Sequence, residues 1–204
     1  MSNLDIVLHQ LQQFFLLSEE EKNVIKEREY IQQAEKLAVN SLKGFASKYF
    51  KNEINPFNGV QYCNFLYWLS FIAYKDEQRN IADKVYYLNK MLNAVDLYYE
   101  VHLPLEWSCE HPLGSVMGKA KYGNHFFFFQ GCTVGGSRKG NELFYPEIGE
   151  NVIMYSNSKI VGKSKIGDNV IIAANTYIKN QDVPSGSLVF GESPNLIIKK
   201  RAED

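Results

Sequence analysis

The sequence predicts an α+β protein: a helical region over residues 1–97, then a β domain over residues 98–204 that winds as a triangular coil and ends in a C-terminal tail. Three observations predict it. Apolar residues of the first half recur at helical spacing. From residue 116 onward they recur every six positions. The composition, 45% hydrophobic with 13 Tyr and 13 Phe in 204 residues, is that of a folded chain rich in aromatic packing.

The elements of the first region follow in order. Leu4, Leu8, Leu11 and Phe15 fall on one helix face. "SEEEKNVIKERE" (18–29) carries the charge of a solvated helix face. "KNEINPFNGV" (51–60) is a loop by its Asn, Pro and Gly content. A second apolar segment runs from Tyr62 to Tyr74. A third helix is marked by Ile81, Val85, Leu88, Leu92 and Val95. The most apolar run, "FLYWLSFIAY" (65–74), has ten residues. A bilayer span needs about 20, so the run predicts a buried helix.

Bulk properties exclude some functions. The net charge of −1 leaves no electrostatic footprint for nucleic acid or an anionic membrane. The start, "MSNLDIVLHQ", alternates apolar residues with Asp and His, unlike a signal peptide. Cys63, Cys109 and Cys132 are odd in number and match neither a disulfide framework nor a zinc site. They are expected reduced, in a cytoplasmic protein. No metal is implied, because the histidines and cysteines form no ligand set.

The second region has a different texture. Val116, Tyr122, Phe128 and Val134 recur at six. After a longer loop, so do Ile148, Met154, Ile160, Ile166, Ile172 and Ile178. Four positions after most of them stands a small or apolar residue: Ala120, Phe126, Cys132, Val152, Ser158, Ser164, Val170 and Thr176. A helix would carry residues six apart to different faces. A repeat of six means one short strand and one corner. Three units close one turn of 18 residues, so that Ile148 stacks on Ile166, Met154 on Ile172 and Ile160 on Ile178. Gly and Asn suit the corners, whose dihedrals other residues avoid.

This pattern resembles the left-handed parallel β-helix of hexapeptide repeats, an exception to right-handed crossovers. The resemblance implies an acyltransferase that assembles as a homotrimer, with a dimer of trimers as an alternative. "EHPLGSVMG" (110–118) and "QGCTVGGS" (130–137) resemble the active-site segments of the serine acetyltransferases. That family carries Asp-His-x-x-Gly-x-x-x-Gly and later Gln-x-Val-Thr-Leu-Gly-Gly. His111, Gly114 and Gly118 match the first motif, with Glu110 in place of the Asp. Gln130, Thr133, Gly135 and Gly136 match the second. Upstream, "EVHLP" supplies Glu100 two residues before His102, where the family has an Asp before a His-Pro element. The resemblance covers roughly residues 98–200.

It implies acetyl-CoA as co-substrate and no metal. Transfer of an acetyl group to a hydroxyl requires a base, a place for the oxyanion and a channel for coenzyme A. A histidine suits the first, so His111 is the expected base. A carboxylate can orient it and stabilise the imidazolium; Glu100 is the first choice by resemblance and Glu110 the second. The resemblance places coenzyme A against Gly135, Gly136, Ser156, Ala174 and Lys179, in a groove between adjacent β-helices. Lys199, Lys200 and Arg201 of the tail add weaker candidates. His102 is read as structural, His9 and His125 as surface residues.

One segment departs from the family. In "GGSRKGNELFYPE" (135–147), Phe144 and Tyr145 stand where the family has Arg-His, the pair that helps hold the amino acid acceptor. Losing the Arg removes a partner for a carboxylate. An aromatic pair suits the face of a sugar ring. The acceptor expected is therefore a sugar hydroxyl of a surface polysaccharide or its precursor. Serine O-acetylation in cysteine biosynthesis and a non-catalytic β-helix scaffold are the alternatives.

Overall fold

The computed structural model describes residues 2–45 and 52–201. Lys51 of the expected loop and the last three residues of the tail lie outside the described residues. The chain forms two compact units, Met1–Glu100 and Val101–Asp204.

The first unit holds five helices among the described residues: α1 (Asn3–Phe15), α2 (Glu19–Glu27), α3 (Tyr30–Lys43), α4 (Gly59–Lys75) and α5 (Arg79–Asn93). Ser2 and Ser18 start α1 and α2 with reciprocal caps. Each hydroxyl accepts from the third helical N–H, and Asp5 or Glu21 returns the bond. α4 packs against α3 and α5 and is buried on most of its circumference, which accounts for its unbroken apolar run. Asn64 Nδ2 donates to Ser41 Oγ, and Asn89 Nδ2 of α5 donates to the Cys63 carbonyl.

Two helical stripes differ from expectation. In α1 the fully covered face is Ile6, Val7 and Leu11, while Leu4, Leu8 and Phe15 are half-buried. In α5 Ile81, Val85 and Leu88 are buried, but Leu92 is 43% exposed. The helix ends at Asn93, so Val95 reaches the core from beyond it. Helical spacing sets which residues share a face; packing of the neighbours decides how far round it the core extends.

The second unit is a prism of three parallel sheets. One contains β1 (Trp107–Cys109), β4 (Phe126–Phe128), β9 (Ile153–Met154), β12 (Ile171–Ile172) and β14 (Ser187–Phe190). The next contains β2 (Val116–Met117), β5 (Thr133–Gly135), β10 (Lys159–Val161) and β13 (Tyr177–Lys179). The third contains β3 (Lys121–Tyr122), β8 (Glu147–Ile148) and β11 (Lys165–Ile166). A hairpin of β6 (Ser137–Lys139) and β7 (Glu142–Phe144) interrupts the second turn. The tail strand β15 (Ile197–Lys200) runs antiparallel along β14.

The register agrees with the 18-residue turn: Ile166 lies beside Ile148, Ile172 beside Met154 and Ile178 beside Ile160. All six are buried, as are Phe126, Cys132, Val152, Ser158, Ser164, Val170 and Thr176 at the small-residue positions. Corners turn through left-handed backbone at Asn151, Asn157, Asn169, Asn175 and Asn180. Corner N–H groups find acceptors on the next turn. Asp168 Oδ1 accepts from Glu150 N, Asn180 Oδ1 from Lys163 N and Asp182 Oδ1 from Lys165 N, each within 2.9 Å.

The side of the first turn from β2 to β3 is one residue short. Met117, not Val116, pairs with Val134 and enters the core. Val116 is 39% exposed, because five residues rather than six separate the core position from Tyr122. Met117→Ala is therefore expected to cost about 2–4 kcal/mol in denaturant unfolding, and Val116→Ala under about 1 kcal/mol. The reverse order would contradict this register.

Candidate active site

Two corners of the prism carry the residues singled out by the motifs. The first joins the β1 sheet to the β2 sheet. Glu110 N donates to the Phe128 carbonyl and Gly131 N to the Leu113 carbonyl, so the segment from Glu110 to Leu113 lies over Phe129–Gln130 of the next turn. Asn157 N donates to Gln130 O and Asn175 N to Ser156 O, which continues the column. Ser156 and Ala174 thus share an edge with His111. Pro112 and Leu113 are extra residues at this corner, and they push it outward.

His111 takes the left-handed region, with φ +49°. So does His125, at +58°. The two differ in setting. His125 occupies the regular corner position held by Asn151 and Asn169 in later turns, and its Nδ1 lies 3.1 Å from Glu106 Oε2. This half-exposed histidine is tied into the corner by that pair. His111 stands on the irregular corner with 75% of its side chain exposed. Left-handed backbone is shared by many corners of the coil; what sets His111 apart is its exposure and the two extra residues beside it.

The two candidate carboxylates have different surroundings. Glu100 closes the helical unit and is held there: Arg79 Nη2 donates to its Oε1 at 2.6 Å and Tyr98 Oη at 3.3 Å. The arginine's own pKa is driven up by that hydrogen bond. Glu110 Oε1 lies 3.9 Å from His111 Nε2, beyond hydrogen-bond reach. Gln130, matched by motif alone, has its Oε1 buried without a hydrogen-bond partner. His9 and His102 are exposed.

The second corner lies at the opposite edge of the β2 sheet and joins it to the β3 sheet. It holds Gly135, Gly136, Phe144, Tyr145 and Lys179. A Cβ built on Gly135 would meet nothing within 4 Å, so its backbone is open to approach. One built on Gly136 would lie 3.0 Å from the Tyr145 ring and 3.1 Å from the Phe144 carbonyl, so an added side chain would crowd the hairpin where it folds back. Lys199 and Lys200 lie on β15 and Arg201 follows it, with Arg201 N bonded to Gly186 O.

Two residues at this corner escape a reading of motifs. Lys121, Glu147 and Lys165 are register partners, so Lys119, Tyr145 and Lys163, each two residues earlier, form one column up the corner. Lys119 Nζ lies 4.9 Å from the centre of the Tyr145 ring, and Lys163 Nζ 5.8 Å from that of Phe144. Counting three places back from Tyr122, Ile148 and Ile166 would have found them.

Among the described residues no group of three or more His, Cys, Asp or Glu could hold a metal. No described helix is long and apolar enough to cross a membrane. The three cysteines are buried and in no disulfide; burial pushes the Cys132 thiol up, and its sulfur lies 3.2 Å from the Tyr155 carbonyl.

The repeats define the class first. Residues 145–180 match the family model of the bacterial transferase hexapeptide, described as six repeats. The fold is a helical region followed by the left-handed parallel β-helix of that repeat. The particular likeness is to serine acetyltransferases. That of Staphylococcus epidermidis (strain ATCC 35984) is 31% identical over 137 residues, 65% of this chain and 63% of the relative. That of Staphylococcus aureus (strain N315) is 29% identical over the same length. This chain therefore spans less than two thirds of these relatives' length. A crystal structure of Neisseria gonorrhoeae serine acetyltransferase aligns with a TM-score of 0.73 at 20% identity, covering 100% of this chain and 82% of that one. A serine acetyltransferase in complex with cysteine aligns at 0.74 and 16% identity, covering 97% of this chain and 83% of its own.

These relatives overturn the expected sugar acceptor, and with it a place in polysaccharide biosynthesis. The physical reason lies at the second corner. Phe144 and Tyr145 are not a bare apolar wall for a sugar face, because lysine ammonium groups lie over both rings.

The close contact at Gly136 predicts that Gly136→Ala loosens the hairpin. Trypsin is expected to cut after Arg138 and Lys139 several-fold faster, with the far-ultraviolet circular dichroism unchanged. Equal cleavage rates would mean that the Tyr145 ring yields at no cost.

Proposed function

We propose that the chain is a serine O-acetyltransferase, which moves the acetyl group of acetyl-CoA to the hydroxyl of L-serine. The observation that carries this reading is His111: an exposed imidazole on an expanded corner, inside a motif shared with the serine acetyltransferases to which the chain is similar. Solved serine acetyltransferases in complex with CoA and with cysteine align with this chain over 88% and 97% of its length, which supports a coenzyme A thioester and a small amino acid as the ligand classes.

The reaction needs few parts. His111 Nε2 removes the serine hydroxyl proton as the oxygen attacks the thioester carbon. The tetrahedral oxyanion collapses, the carbon–sulfur bond breaks, and the imidazolium returns its proton to the leaving thiolate. O-Acetylserine and coenzyme A result. Glu110 is the carboxylate beside the base, 3.9 Å from His111 Nε2. Glu100 serves as orienting carboxylate in the family-derived reading, and here it would have to share its charge with Arg79. Backbone at Gly135, open to approach, receives the acyl end of the co-substrate, with Gly136, Ser156, Ala174 and Lys179 along its path.

The proposed assembly is a homotrimer in the cytoplasm. His111 and Tyr145 stand at opposite edges of the β2 sheet. Four strand residues at about 3.3 Å each put roughly 13 Å between those edges. Serine is too small to touch both, so a second copy must bring its hairpin corner to the first copy's His111.

Release of coenzyme A thiol is expected with L-serine and acetyl-CoA, and not with sugars. His111→Ala is expected to lower kcat by about 10²–10⁴-fold while acetyl-CoA binding stays within about twofold of the parent, since the residue is placed on the acceptor side. Undiminished turnover in that variant would remove the base assignment.

A further inference from the structure

We infer that Lys119 and Lys163 bind the carboxylate of the amino acid acceptor. The inference rests on the serine reading and adds to it the groups that select an amino acid over a neutral alcohol.

A zwitterionic acceptor needs a cation beside its carboxylate, and neither Phe144 nor Tyr145 supplies one. The corner column does. Lys119 comes from the turn below Tyr145 and Lys163 from the turn above. At about 4.8 Å per turn, their backbones stand roughly 10 Å apart, with the hairpin aromatics between them. A carboxylate held over the rings is reached from both turns. Each ammonium lies against a ring face, 4.9 Å from Tyr145 and 5.8 Å from Phe144, which restricts where the long side chain can go.

Their charge is also unspent. Lys121, two residues on from Lys119, is neutralised by Glu147 at 3.0 Å. Among the described residues neither Lys119 nor Lys163 has a carboxylate within 4.0 Å. The backbone beneath Lys163 is anchored instead: its N–H donates to Asn180 Oδ1 at 2.9 Å, and Ser137 Oγ of the hairpin donates to the same oxygen at 3.2 Å. Hairpin and lysine therefore keep a common footing. Two open ammonium groups on a fixed corner recognise an anion. That anion could be the acceptor carboxylate or a phosphate of coenzyme A. We commit to the carboxylate, because the serine reading requires a cation for it and neither Phe144 nor Tyr145 supplies one; the acetyl-CoA arm of the test separates the two anions.

The test uses the full chain with both lysines replaced, Lys119→Ala with Lys163→Ala, and separately the conservative Lys163→Arg. Serine is compared with serinol, which keeps the amine and hydroxyl and lacks the carboxylate. In the double variant KM for serine is expected to rise tenfold or more, kcat to change much less, and the preference for serine over serinol to collapse. KM for acetyl-CoA is expected to stay within about twofold, and Lys163→Arg to retain most of the preference. An unchanged KM for serine overturns the inference. A rise confined to acetyl-CoA overturns it in favour of phosphate binding. An equal rise for serine and serinol overturns it in favour of a structural role. Wild-type protein that acetylates neither amino alcohol overturns the proposed function, whatever the variants do.

Discussion

Everything in the β unit depends on one stacking constraint: each residue lies beside the residue one turn on. Ile148 beside Ile166, Met154 beside Ile172 and Ile160 beside Ile178 make buried ladders along the prism. Each ladder excludes water from the ladder hydrogen bonds that flank it. Removing one such side chain leaves a cavity that a narrow prism cannot close, at a cost of about 2–5 kcal/mol. The corners obey the same rule. Because turns repeat without slipping, a corner side chain always finds the same position above and below it, which lets Asp168, Asn180 and Asp182 satisfy N–H groups of the preceding turn.

The chemistry gathers where this regularity is broken. At one edge of the β2 sheet, two extra residues after His111 lift an imidazole clear of the surface. At the other edge, an inserted hairpin folds back over Gly136 and sets two aromatic rings between two lysines. The regular turns supply stiffness, and the two interruptions carry the candidate site residues. This division is common in proteins, whose local rules are relaxed at sites that do work.

Much of the prism was legible because its repeat is short-ranged. Once Phe128, Val134 and the isoleucine series are aligned, each neighbour is known from the count alone. The count failed at Val116, where a single missing residue moved Met117 into the core. In the helical unit the stripes were found but their rotation was not, since the faces of α1 and α5 depend on partners far along the chain. The site was legible only by half. His111, Gly135 and Gly136 stood inside recognisable motifs. The setting of Phe144 and Tyr145 did not, because Lys119 and Lys163 are remote in sequence and meet the rings only through the coil. An aromatic pair read in isolation suggested a sugar; the same pair flanked by ammonium groups does not. Glu100 was similarly read without Arg79, which holds its carboxylate.

The central claim is that one copy's imidazole and another copy's hairpin corner meet on a single serine. A crystal structure of the full chain with coenzyme A and L-serine measures it most directly. The account predicts the serine hydroxyl about 2.6–3.2 Å from His111 Nε2, with its carboxylate turned toward the Tyr145 corner of a neighbouring copy. Serine bound beyond hydrogen-bond reach of His111, or enclosed wholly by one chain, would contradict it.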